Sequence, residues 1–258
     1  MNSKEWLRYF EQNRTNRSEP PWHFASPLDA VAQKTLCRSL SHFQLGESGE
    51  GRNLLQQARE QAPDDPNYAA ALALFIEEEK EHARLLERLV RRFGGEPIRR
   101  HWTHAVFRLA RRALGLNFEL QVLVIAEIVG TAYYRMLQLR SRDPVLDQVC
   151  MLLLRDEARH IEFHVHWLRA VQARWLPAER EAWSLQFQAL FTVAANVAWF
   201  DHRAALKSTG GSKREFFNIA RGECIQFLAH LSAAPVVASS PGCGGHVSER
   251  FSSFPIPC

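Results

Sequence analysis

The stretch DEARH at residues 156–160 and the stretch EEKEH at residues 78–82 each place a glutamate three positions before a histidine: Glu157 with His160, and Glu79 with His82. Residues three apart on an α-helix share a face, so each pair presents a carboxylate oxygen and an imidazole nitrogen to one ion. A single pair of this kind is weak as a signal, and spacing strengthens it. Glu47 lies 32 residues before Glu79, and Glu127 lies 30 before Glu157. Two antiparallel helices joined by a short turn bring residues about 30 apart to one height, because roughly 15 residues of ~1.5 Å rise lie on each side of the turn. Four glutamates and two histidines are therefore expected at one level of one bundle. Glu127 stands out, since it sits in the apolar run LVIAEIVGTAYY, where a buried carboxylate without a partner is costly. Glu50, one turn after Glu47, is an alternative to it.

The elements that must hold these residues are helices. No sustained alternating apolar pattern is present, whereas 3.6-residue periodicity recurs between helix stops. A short amphipathic helix is expected near 3–12. Ser26-Pro27 predicts the start of a long helix to about Gln61, and Asp65-Pro66 the start of a second that ends at Gly94-Gly95. A spacer with a short helix near 103–113 precedes a third long helix from about Asn117 to Arg140. Asp143-Pro144 opens a fourth, which ends before Pro177, and two more are expected at about 178–207 and 213–233. The fold class is therefore all-α: an antiparallel four-helix bundle with one long crossover and flanking N- and C-terminal helices. The expected organisation is a short helix and linker over 1–25, the bundle over 26–176, two additional helices over 177–233, and a disordered Gly/Ser/Pro-rich tail over 234–258.

Composition sets the class. With 258 residues, 46% of them hydrophobic, and a net charge of +4, the chain can build a substantial core. The N-terminus lacks an apolar signal-peptide core, and the run at 120–134 is too short for a bilayer and carries Glu127. Cys37, Cys150, Cys224, Cys243 and Cys258 are scattered, with no Cys-x-x-Cys pair. These features predict a soluble, cytoplasmic protein with no membrane partner and no rubredoxin-type knuckle. Arg88, Arg91, Arg92, Arg99, Arg100, Arg108, Arg111 and Arg112 crowd between positions 88 and 112. They read either as a solvated helix end and loop or as a docking patch for an acidic partner, such as a ferredoxin, a carrier protein or RNA.

The residues also resemble a family. FQLGESGEGRN (43–53) and EEKEHA (78–83) resemble the first- and second-helix motifs of rubrerythrins, while DEARH resembles the Asp-Glu-x-Arg-His signature of di-iron oxygenases and acyl-carrier desaturases. Together they resemble the ferritin-like di-iron carboxylate superfamily over about residues 27–175. The resemblance implies Glu47, Glu79, His82, Glu127, Glu157 and His160 as metal ligands, with Glu79 and Glu157 bridging. It implies two iron ions, with Mn/Fe as the variant the same ligands would suit, and O₂ as co-substrate. Asp156 and Glu78 would hold the histidine rings in one tautomer. His164, on the stripe of Glu157 and His160, would be an extra ligand of the kind seen in di-iron N-oxygenases, though those place theirs upstream of the pair, or else a supporting core histidine. Thr131 resembles the helix threonine that lines the oxygen pocket of di-iron monooxygenases; the alternative is a Gly130-Thr131 pair that permits close helix packing. Glu81 stands where the oxygenase signature has arginine.

The resulting expectation is an O₂-dependent di-iron oxidase or oxygenase acting on a small organic substrate, with an external electron donor such as a ferredoxin or reductase. Phe75, Ile76, Leu123, Ile161 and Phe163 would line its site, and the helix FTVAANVAWFDHRAAL would supply a wall. A carrier protein at the arginine cluster and a homodimer are compatible with it. The alternatives are a rubrerythrin- or ferritin-like peroxidase or ferroxidase and, last, a non-enzymatic bundle held by buried ion pairs.

Overall fold

The structure, a computed structural model, describes residues 1–101 and 115–233. The helix expected near 103–113, Arg108, Arg111, Arg112 and the tail from 234 lie outside the described residues. Every regular element among the described residues is a helix: α1 Ser3–Thr15, α2 Ala30–Glu47, α3 Arg52–Gln61, α4 Pro66–Arg92, α5 Leu116–Arg140, α6 Pro144–Gln172, α7 Pro177–Ser208 and α8 Lys213–Ser232. The protein is an all-α helical bundle.

Local chemistry fixes most boundaries. Asp65 and Asp143 each precede a proline at the first helical position and accept hydrogen bonds from backbone amides of the first turn, Asp65 from Tyr68 and Asp143 from Val145 and Leu146. Asn2 and Glu5 form a reciprocal capping box on α1. Two boundaries differ from the sequence expectation. The first long helix is capped by Asp29, which accepts from the Ala32 amide, so Ser26-Pro27 stays outside it. It also breaks after Glu47, and the chain restarts as α3 beyond Gly51. Gly51 has φ +61°, a conformation that favours glycine, and a Cβ there would run into the Ile76 side chain.

α2 packs on α4, α5 on α6, and α4 on α6; α7 lies across α2 and α5, while α8 covers α5, α6 and α7. The core between them is aromatic and aliphatic, with Phe75, Tyr133, Tyr134 and Phe163 fully or almost fully buried. α1 packs against α4, and its Trp6 and Phe10 stack edge-on to Phe163 with ring centres 5.5 and 5.3 Å away. Each such side chain contributes about 1.5–3 kcal/mol through burial, which ties the N-terminal segment to the bundle. Among the described residues, α5 is long and apolar enough to cross a membrane, but 83% of its apolar window is buried within the protein.

Candidate metal centre

Three helices supply the centre, and the end of a fourth completes it. α4 carries Glu78, Glu79 and His82; α6 carries Asp156, Glu157 and His160; α5 carries Glu127; and Glu47 is the last residue of α2. The His160 Nδ1 atom lies 3.0 Å from Glu79 Oε1, 3.4 Å from Glu157 Oε2 and 3.9 Å from Glu127 Oε2. His82 Nδ1 lies 3.5 Å from Glu157 Oε1 and 3.7 Å from Glu79 Oε1. The carboxyl groups of Glu127 and Glu157 interact electrostatically, as do those of Glu47 and Glu79, and the Tyr134 hydroxyl donates to Glu47 at 3.2 Å. All six expected ligands are thus brought to one level of the bundle. Glu50 is not: it points outward, 66% exposed, and pairs with Arg52 at 2.8 Å.

Each histidine turns its Nδ1 inward and donates through Nε2 to an acid on the opposite helix. His82 donates to Asp156 at 3.2 Å, and His160 to Glu78 at 3.0 Å. This fixes the tautomer in which Nδ1 is the inward ligand atom. α1 and the segment after it complete the arrangement. The Asn13 side-chain amide donates to both Glu78 (2.5 Å) and Asp156 (3.1 Å), and Arg17 approaches the same two carboxylates at 3.1 and 3.5 Å.

The charges are mutually dependent. Burial alone would lower the histidine pKa values. Instead, Asp156, which accepts from its Nε2, and the nearby carboxylates of Glu157 and Glu79 push His82 up to about 10; Glu127, Glu157, Glu78 and Glu79 likewise hold His160 well above its ordinary value. Burial raises Glu47 and Glu127 well above the carboxylate range, and the neighbouring Glu79 and Glu157 add to the rise. Burial would also raise Glu157, but its neighbours Glu127, His160 and His82 hold it well below.

The donor set fits a metal. Glu79 Oε1, His82 Nδ1, Glu157 Oε2 and His160 Nδ1 are buried without a hydrogen-bond partner among the described residues, and one ligand atom from each of these four side chains lies within 4.8 Å of the others. Buried polar atoms that face one another unpaired are rare, and a shared cation satisfies all four. Imidazole plus carboxylate suits iron, manganese or zinc.

A cavity of about 490 Å³ opens on the carboxylate side, reaching Glu47, Glu79, Glu127 and Glu157. Phe75, Ile76 and Leu123 line it as expected, joined by Val193 and Val197 of α7, while Phe163 instead packs beneath α1. Gly130 lines the cavity; Thr131 is buried but does not. His164 is buried edge-on to Phe75, with ring centres 5.1 Å apart, and lies outside the group of four. Sequence reasoning missed Asn13, Arg17 and a polar cluster in the cavity wall, in which His42 Nδ1 lies 3.0 Å from Asp201 and His202 adjoins it. Arg88, Arg91 and Arg92 are paired within the chain, to Glu19, to Glu87 and Glu96, and to Asp143.

The model of the p-aminobenzoate N-oxygenase AurF family matches residues 45–212. No curated protein and no solved structure matches the chain.

Proposed function

The chain belongs to the AurF family of ferritin-like di-iron oxygenases, and from that premise we propose that it inserts an oxygen atom from O₂ into a small amine held in the cavity beside Glu47, Glu79, Glu127 and Glu157. The observation that carries this reading is the set of unpaired ligand atoms on Glu79, His82, Glu157 and His160, turned toward one another beneath that cavity. Glu47, Glu79 with His82, Glu127, and Glu157 with His160 would hold two iron ions. When bound in the ferrous state, the pair supplies electrons for O₂ reduction. Conversion of an amine to a hydroxylamine by O₂ also forms one water and consumes two electrons and two protons, so an external donor such as a ferredoxin or reductase is required.

The chain's own residues do the rest. Glu78 and Asp156 hold the two imidazoles with Nδ1 inward, and Asn13 holds the two acids. The apolar wall of Phe75, Ile76, Leu123, Val193 and Val197 excludes water and orients the substrate toward the carboxylates. Glu47 and Glu127, whose pKa values lie high in the metal-free site, would give up protons on holding the metal. Iron storage or peroxide removal, the alternative suggested by the rubrerythrin-like motifs, is not favoured by the family match.

The test is anaerobic reconstitution with ferrous iron, a metal count per chain, and single turnover with isotopically labelled O₂ and a panel of aromatic amines. Two irons per chain and label in a hydroxylamine or nitro product are expected. Two irons with label only in water, or turnover faster with peroxide than with O₂, would overturn the reading. Glu127→Ala and Glu157→Ala should each remain helical and lose most of one metal equivalent.

A further inference from the structure

The wall of the cavity contributed by α2 and α7 is not entirely apolar. His42, Asp201 and His202 reach it, and Asp201 is the acceptor at their centre. Its Oδ2 lies 3.0 Å from His42 Nδ1, 3.8 Å from His101 Nδ1 and 4.0 Å from His202 Nε2. The cluster is built rather than incidental. His202 is locked through Nδ1 to the Ser39 hydroxyl at 2.8 Å, and Ser39 to the Tyr133 hydroxyl at 2.6 Å. His42 precedes Glu47 by five residues on α2, an offset of about 7.5 Å along the helix axis, a length that one substituted aromatic ring can bridge.

Among the described residues, the charge balance of the cavity is one-sided. Its charged lining residues among those described are Glu47, Glu79, Glu127, Glu157 and Asp201, with no lysine or arginine. Two divalent ions neutralise the four glutamates, which leaves Asp201. Burial lowers the His42 pKa and pushes His202 down to about 3, so neither imidazole offers a compensating positive charge at neutral pH.

We propose that Asp201 determines specificity: it selects amines whose far end carries a cation or a hydrogen-bond donor, and it rejects those ending in a carboxylate, including p-aminobenzoate itself. This deepens the reading of the cavity as an amine-oxygenation site and rests on it for the orientation of the substrate. A carboxylate placed against Asp201 would meet like charge in a partly desolvated site, whereas an ammonium or benzylic hydroxyl would pair with it.

The test is calorimetric titration of the zinc-loaded, redox-inert protein with 4-aminobenzylamine, 4-aminobenzyl alcohol, p-toluidine and p-aminobenzoate. The expected order places the amine tightest and p-aminobenzoate weakest, with the extremes separated by at least about tenfold. Asp201→Asn should collapse that separation to within about threefold, and Asp201→Glu should restore it. Equal or tighter binding of p-aminobenzoate by the wild-type protein would overturn the proposal whatever the folding of the variants. A preference for the amine that survives Asp201→Asn would also overturn it. Binding does not require turnover, so a protein that shows the expected order yet oxygenates none of the probes would refute the N-oxygenation reading and leave the assignment of Asp201 standing.

Discussion

Removing the metal should reverse how this protein's stability responds to pH. In the metal-free fold the His82 pKa stands at about 10 against 6.5 for a free imidazole, because Asp156, Glu157 and Glu79 surround it. A group raised in this way stabilises the folded state fully below its unfolded value, and that contribution is lost as pH rises toward the folded value. Between pH 7 and 9 His82 alone therefore withdraws on the order of 1 kcal/mol per pH unit, or about 2–3 kcal/mol across the window. For a chain of this size, that corresponds to a fall of roughly 5–10 °C in melting temperature. His160, also raised, acts in the same direction, as do Glu47 and Glu127 until pH passes their folded values. Glu157 and Asp156, both held low, contribute stability above the ordinary carboxylate range and lose it only on acidification, so they are constant in this window. A metal replaces the protons on the inward nitrogens, and its competition with them eases as pH rises. Thermal melts of chelator-treated and zinc-saturated protein from pH 6 to 9 should show the first falling and the second level or rising. A metal-free melting temperature that stays flat or climbs between pH 7 and 9, in a protein that remains helical, would refute the claim that the carboxylates hold protons on these histidines.

Other perturbations probe the supports of the site. Asn13→Leu removes the donor shared by Glu78 and Asp156, and it should weaken metal binding by about 10- to 100-fold in a chelator competition while leaving the helix content unchanged. Glu47→Ala should lower the metal count, whereas Glu50→Ala should leave it at the wild-type value, since Glu50 faces solvent beside Arg52. Gly51→Ala forces a Cβ into φ +61° and against Ile76, and denaturant unfolding should show a loss of roughly 1–3 kcal/mol. An unchanged midpoint would mean that the break between α2 and α3 does not depend on glycine.

The sequence made the candidate metal centre legible because its signal is periodic. Glu-x-x-His pairs and the offset of about 30 residues are consequences of helix geometry alone, and a single chain displays them. The break after Glu47 was hidden because ESGEG interrupts an otherwise continuous amphipathic pattern, and the sequence does not show Ile76 standing over Gly51. Asn13 and Arg17 were hidden for a different reason. They reach Glu78 and Asp156 from 65 and 139 residues away along the chain, through the docking of α1, and no local spacing encodes that contact. Asp201 and His202 could have been found. They interrupt the apolar stretch VAWFDHRAAL as Glu127 interrupts LVIAEIVG, and the cost of burying an unpartnered charge applies equally to both.

The doubled acids of the two motifs take on a meaning that neither motif has alone. In EEKEH the first glutamate, Glu78, does not serve its own helix; it accepts from His160 on α6, while Asp156, the first acid of DEARH, accepts from His82 on α4. The partners are exchanged across the α4–α6 contact, so each histidine has its Nδ1-inward orientation set from the opposite helix. A slip of one helix past the other by a single turn, about 5.4 Å, would break both bonds at once and leave two imidazoles buried without their acceptors, at a cost of about 1–3 kcal/mol for each. The alignment that orients the two imidazoles therefore also specifies the register of the two helices. That dual role gives a physical reason for an acid directly before the glutamate of each Glu-x-x-His pair, in a position where hydrophobic packing alone would favour an apolar side chain.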